Sequence, residues 1–134
     1  MYTKMKLHES IDEDFNEENR RFLLAMCKPI ESHLDNYVLV KMPSEAKKLH
    51  KKTHNAIALS GSVFDNRFGK RMKAIFVEER WLNGIRKRWT KGDIDVKKGI
   101  SDTIQHILLH EKAHSIGIIS ERLADKYAKN EMCM

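Results

Sequence analysis

The stretch "QHILLHEKAHSIGIISERLADKYA", residues 105–128, decides how this chain folds. Ile104, Ile107 and Leu108 continue one apolar stripe at helical spacing, and Ser101 or Asp102 stands where an N-cap is needed. Gly117 then breaks the period. Beyond it "ISERLADKYAKN" restarts a helix, with Ser120 as its cap and Leu123, Ala124 and Tyr127 available for packing. The spacing predicts a helix, a tight turn and a second helix.

Residues four apart share a helix face, so His110 and His114 direct their rings at one point. Such a pair suits a zinc ion. Glu111 lies beside His110 without occupying a ligand position. There it can accept the proton of a metal-held water while zinc acidifies that water and polarises a scissile carbonyl. A catalytic zinc takes three protein ligands and keeps one position open. Gly117 lets the chain turn, and Glu121, on the first turn of the next helix, can fold back as the third ligand. Asp125 follows one turn later on the same face, where it can accept the free ring N–H of a ligand histidine. His106 extends the histidine stripe one turn earlier, as a cleft-lining or surface residue. In a chain with seven histidines the bare H-E-x-x-H pattern has a chance of arising at random on the order of a few per cent, and the plain alternative is a helical hairpin whose polar groups face water. Gly117, Glu121 and Asp125 together favour the metal.

Working outward, "NEENRRFLLAMCKPIESHLDN" (16–36) carries Phe22, Leu23, Met26, Ile30 and Leu34 at near-helical spacing, with Pro29 able to kink or split the helix. "YVLVKM", "NAIALSGSVF" and "KAIFVEERW" are strand-like, the last two separated by the turn-forming "DNRFGKR". "PSEAKKLHKKTH" reads as a polar helix and "LNGIRKRWTKGDIDVKKG" as an irregular connection. Trp81 and Trp89 either flank a cleft or serve as partly buried anchors. With no repeat or linker, the expectation is one α+β domain over residues 1–134. Its short, mostly antiparallel three-stranded sheet packs on the N-terminal helix and the histidine helix, and a glutamate helix follows.

At 134 residues and 41% hydrophobic content, the chain suits one core. No apolar run nears the roughly 20 residues that cross a bilayer, and the N-terminus has no signal-peptide core. The expectation is a cytoplasmic protein with no membrane partner. Two cysteines, Cys27 and Cys133, make no disulfide framework, so reduced thiols are expected. The net charge of +6 is uneven: "ESIDEDFNEE" is acidic, while "KMPSEAKKLHKKTH" and the stretch from Arg67 to Trp89 are basic. Arg86, Lys87, Arg88 and Lys91 fall between the strands and the histidine helix. There they can border a substrate cleft and select acidic peptides, hold nucleic acid, or form a solvated surface.

HEKAH, Gly117 and "ERLAD" with Ala128 downstream resemble the gluzincin metallopeptidases, in which H-E-x-x-H and a later glutamate bind zinc. The short link to the glutamate helix, the chain length and the order of elements are most similar to the single-domain minigluzincins. The resemblance implies a zincin-like fold and a zinc endopeptidase with one zinc per chain, acting on protein or peptide. It implies His110, His114 and Glu121 as ligands, Glu111 as general base and acid, and Asp125 as the orienting carboxylate. It also implies an edge strand within "MKAIFVEE" that binds substrate by strand addition. Minigluzincins are similar too in that a C-terminal segment can block the cleft. Residues 130–134 would then be a flexible or inhibitory tail, and Cys133 a candidate thiolate for the open zinc position, leaving the enzyme latent. The competing expectation is a non-catalytic regulatory or nucleic-acid-binding module that keeps zinc as a structural clip, with bound metal and no hydrolysis.

Overall fold

Asn16 starts the first helix by accepting the Asn19 amide at 2.8 Å, in a computed structural model that describes residues 5–43 and 57–132. Helix α1, Glu17–Cys27, buries Phe22, Leu23, Met26 and Cys27. Pro29 has no N–H to continue the ladder, so the chain tightens into a 3-10 segment, Lys28–Leu34, that loses helical angles at Ile30. Ile30 and Leu34 stay in the core, so the apolar period survives the split. Asn36, at φ 70°, then turns the chain into strand β1, Tyr37–Lys41. From Ser44 onward, the polar helix expected over 43–54 lies outside the described residues.

Strands β2, Ala58–Asp65, and β3, Lys70–Val77, form a hairpin whose turn uses Gly69 at φ 60°. The sheet order is β1-β3-β2, with β2 antiparallel and β1 parallel to β3. The mostly antiparallel sheet expected from sequence is therefore a mixed one. Strand β3, which holds most of "MKAIFVEE", is central and not an edge. Ala74, Ile75 and Val77 are at most 2% exposed because neighbours cover both faces, which is why the second half of this strand, Ala74–Val77, is apolar throughout. The outer side of β1 is occupied by the Ile11 segment, through Leu39 N to Ser10 O at 2.7 Å and Asp12 N to Leu39 O at 2.9 Å. Among the described residues, no strand pairs with the outer side of β2. Glu78 N bonds Ile57 O at 2.9 Å, which fixes the alternation. The main-chain groups of Leu59, Gly61 and Val63 turn toward β3, and those of Ala58, Ser60 and Ser62 face the open edge.

The segment expected to be irregular is helical. Glu78 caps helix α2, Glu79–Lys91, by accepting the Arg80 amide at 3.1 Å, and Leu82 and Ile85 enter the core. Gly92 closes α2 on Trp89 O, and Asp93 at once caps helix α3, Ile94–Ser115, by accepting the Val96 amide at 2.9 Å. The cap is thus Asp93, two turns before Ser101 and Asp102. Helix α4, Glu121–Met132, starts at Ser120 as expected.

These four α-helices and three strands of the described residues enclose one main core. Phe22, Leu23, Leu39, Ile75, Leu82, Ile104 and Leu108 meet in it. Val38, Met72 and Ala74 form a smaller cluster on the opposite sheet face, with Met5, Val40, Val63 and Phe76 packed against it. Tyr37 reaches from β1 to donate to Ser115 Oγ at the end of α3, tying the sheet to the helix that carries the histidines. No helix of the described residues is long and apolar enough to cross a membrane.

Candidate metal centre

Helix α3 buries Ile104, Leu108, Leu109 and Ala113, which leaves His106, His110 and His114 on its opposite, partly open face. The turn that follows is a Schellman closure. Ile118 N bonds Ala113 O at 3.0 Å and Gly117 N bonds His114 O at 3.1 Å, with Gly117 at φ 103°. This turn brings α4 back along α3 and places Glu121 over the two histidines.

Three donors converge there. His110 Nε2 and His114 Nε2 lie 3.0 Å apart, and Glu121 offers Oε2 to the first and Oε1 to the second, each at 2.9 Å. Both rings are held from behind. His110 Nδ1 faces Asp125 Oδ1 at 2.7 Å, and His114 Nδ1 faces the Ile118 carbonyl at 2.7 Å. With a proton on each Nδ1, facing its acceptor, both Nε2 lone pairs would be available to a metal.

The set fits zinc. Tetrahedral zinc with bonds of about 2.0–2.2 Å holds its ligand atoms about 3.4 Å apart. A few tenths of an ångström therefore open this triangle enough. The imidazole and carboxylate donors also match zinc's N/O preference. Two other groups of possible ligands approach one another here, His110 with Glu111 and His114, and His106 with His110 and Asp125. Glu121 is the better third ligand than Glu111, because its two oxygens already bracket both Nε2 atoms. The His106 group would have to take His110 through Nδ1, the nitrogen that Asp125 occupies.

Burial pushes the Glu111 carboxyl above its ordinary range. The neighbouring His114 and His110 pull it down, Glu121 pushes it up, and the Ser60 amide, a donor from the open edge of β2, pulls it down. Asp125 is held below the usual carboxylate range by its bonds from His106 and then His110. A cleft of about 250 Å³ runs along the site, lined by Ile57, Ala58, His106, Ile107, His110, Glu111 and Asp125. Glu121 is 77% exposed, so the centre is reachable from solvent.

The other residues singled out from sequence sit elsewhere. Trp89 packs edge-on against Phe22 at 5.7 Å beneath Lys97, and Trp81 packs against the main core, so both are anchors and neither lines the cleft. Arg86 is tied to Asn19 at 2.8 Å, Asn83 at 2.9 Å and Glu18 at 2.9 Å, which fastens α2 to α1 and takes it away from any substrate. Arg88 is exposed on α2, outside the cleft lining. Cys133 lies outside the described residues. Residues 130–132 are the last turn of α4 and not a loose tail, with Glu131 paired to His33 at 3.2 Å and Met132 against the core.

Sequence reasoning missed the Ile118 carbonyl, the Ser60 amide and the bond from His106 to Asp125. The first two are main-chain groups, invisible to residue type. The third was signalled by the i, i+4 step from His106 to His110. A larger polar hollow of about 920 Å³ lies away from the histidines, with Asn16, Asn19, Lys41 and Glu79 among its lining. Burial there works against Glu79 ionising, but the Asn16 amide, the Asn19 side chain and Lys41 outweigh it and hold the carboxyl below its ordinary range. Its acidic group is thereby spent on internal bonds.

No family model matches the chain, no curated protein matches it, and no solved structure matches it.

Proposed function

We propose that this protein is a zinc-dependent endopeptidase of gluzincin type on a minimal, zincin-like domain. His110, His114 and Glu121 are its zinc ligands and Glu111 its general base and acid. The observation that carries the reading is the meeting of two imidazole Nε2 atoms 3.0 Å apart with the two Glu121 oxygens, each 2.9 Å from one of them, each histidine being backed at Nδ1 by its own acceptor.

Bound zinc would polarise a peptide carbonyl and acidify a water. The chain supplies the rest. Asp125 and the Ile118 carbonyl orient the two imidazoles, so their Nε2 atoms already face one point before metal binds. The Glu111 carboxylate takes a proton at one oxygen and returns it to the leaving amine. Its partial burial raises its proton affinity toward the range that serves both roles. The open edge of β2 runs beside Glu111, which holds the Ser60 amide, so the outward groups of Ala58 and Ser62 can pair with an extended peptide across the cleft. Strand addition thus moves from β3 to β2.

The test replaces Glu111 with Gln and follows cleavage of a mixed protein substrate alongside zinc content. Glu111→Gln should keep its zinc and lose cleavage by at least about 100-fold, the scale of general acid–base assistance. Undiminished cleavage sinks the assignment of Glu111. Zinc bound stoichiometrically by a wild type that cleaves nothing favours the structural-clip module instead.

A further inference from the structure

Asp125 serves two histidines through one oxygen. His110 Nδ1 lies 2.7 Å from Oδ1 and His106 Nε2 lies 3.1 Å from the same atom. The two rings are stacked along α3 with centroids 6.3 Å apart, so the carboxylate of α4 is held between consecutive turns of α3. Its side chain is 51% exposed, and a carboxylate that open to water has other rotamers to visit. His106 is the less exposed of that pair, at 29%, and lines a hollow of about 360 Å³ together with Ile107 of α3 and Met132 of α4.

We infer that His106 is a positioning residue for the metal centre, acting through Asp125 on His110. It rests on the reading of His110, His114 and Glu121 as a zinc site. For the contact to be attractive, His106 must donate from Nε2 while Oδ1 also accepts the His110 Nδ1 proton. A carboxylate oxygen can accept both. The His106 bond then restricts Asp125 to the rotamer in which Oδ1 meets His110. Without it, water competes for Oδ1, Asp125 gains rotamer freedom, and His110 loses part of the restraint that keeps Nε2 aimed at Glu121 and His114. The hydrogen bond of His106 goes to Asp125, so its effect on the metal passes through that carboxylate. Pairing by the His106 side chain, and not its bulk, is the working element. A glutamine, whose Nε2 amide stands close to where the histidine Nε2–H stands, should therefore replace it.

The experiment measures the zinc dissociation constant of the full chain by competition with a chromophoric chelator. It uses wild type, His106→Ala, His106→Gln, Asp125→Ala and the double variant His106→Ala/Asp125→Ala, each with a metal-free melting curve. Loss of an outer partner of a metal ligand costs about 10–100-fold in affinity. Asp125→Ala should fall in that range, and His106→Ala, one bond further out, should weaken zinc by about three- to tenfold. His106→Gln should recover most of that loss, and His106→Ala should cost nothing more once Asp125 is gone. Unchanged affinity in His106→Ala overturns the inference and leaves the zinc site standing. An equal loss in the Asp125→Ala background overturns it too, because His106 would then act through packing. If His106→Ala melts too low to assay, the His106→Gln and Asp125→Ala pair decides. Glutamine that binds zinc as weakly as Asp125→Ala counts against the inference. A wild type that binds no zinc overturns this inference together with the reading it rests on.

Discussion

Asp65 shows how a single side chain ties acid stability to the hairpin that forms the cleft's open edge. Its carboxylate receives Arg67 through Nε at 3.2 Å, Nη2 at 2.8 Å and the main-chain amide at 2.8 Å, while Arg67 also reaches Glu9 O at 2.6 Å. The side-chain bond from Arg67 holds the Asp65 carboxyl below the usual range. A depressed folded-state pKa contributes stability that is present above the unfolded value, about 3.9, and is lost as pH falls through the folded value. Asp65→Asn should therefore melt below wild type at pH 7. The two melting temperatures should converge as the pH is lowered below about 4. Melting curves across that range check it, and a gap that widens in acid contradicts the sign. Cys27 shows the other direction, since complete burial pushes its thiol far up and leaves it an inert core residue.

Among the elements, the turn between α3 and α4 carries the site. Gly117 occupies φ 103°, where an L-residue costs about 1–3 kcal/mol. The same closure presents the Ile118 carbonyl to His114 and Glu121 to both rings. Gly117→Ala should lower stability by about 1–2 kcal/mol and also weaken zinc binding, as read by urea melts and chelator competition. Lost stability with unchanged zinc affinity would separate the turn from the site. This part was legible because everything that builds it is local. Gly117, Ser120, Glu121 and Asp125 all fall within 15 residues of His110, so helical period and caps suffice. The strand order was not legible, because a strand's neighbours depend on pairings distant in sequence. The apolar run Ala74–Val77 of β3 is matched by Tyr37–Val40 of β1, so composition did not mark which strand is central. Helix α2 was missed because Arg80, Lys87, Arg88 and Lys91 outnumber its buried Leu82 and Ile85 and because Gly84 interrupts it. The basic face hid a two-residue apolar stripe.

For the whole molecule, the arrangement separates folding from metal binding. The main core draws on every helix and strand, α4 through Ala128 and β2 through Ala58, but none of the three proposed ligands belongs to it. Chelated protein should stay folded, and zinc at about 100 times its dissociation constant should add about 2.7 kcal/mol. Melting should then rise on the order of 10 °C and fall back with chelator. Collapse on chelation would instead mark a structural clip. The account stands most directly on where the ion sits, which a crystal of the zinc-soaked protein reports through anomalous scattering at the zinc edge. The predicted result is one peak about 2.0–2.2 Å from His110 Nε2, His114 Nε2 and a Glu121 oxygen, with Glu111 outside bonding distance. A peak on His106 and Asp125, a peak that takes Glu111 as its third ligand, or no peak at the triad would contradict it.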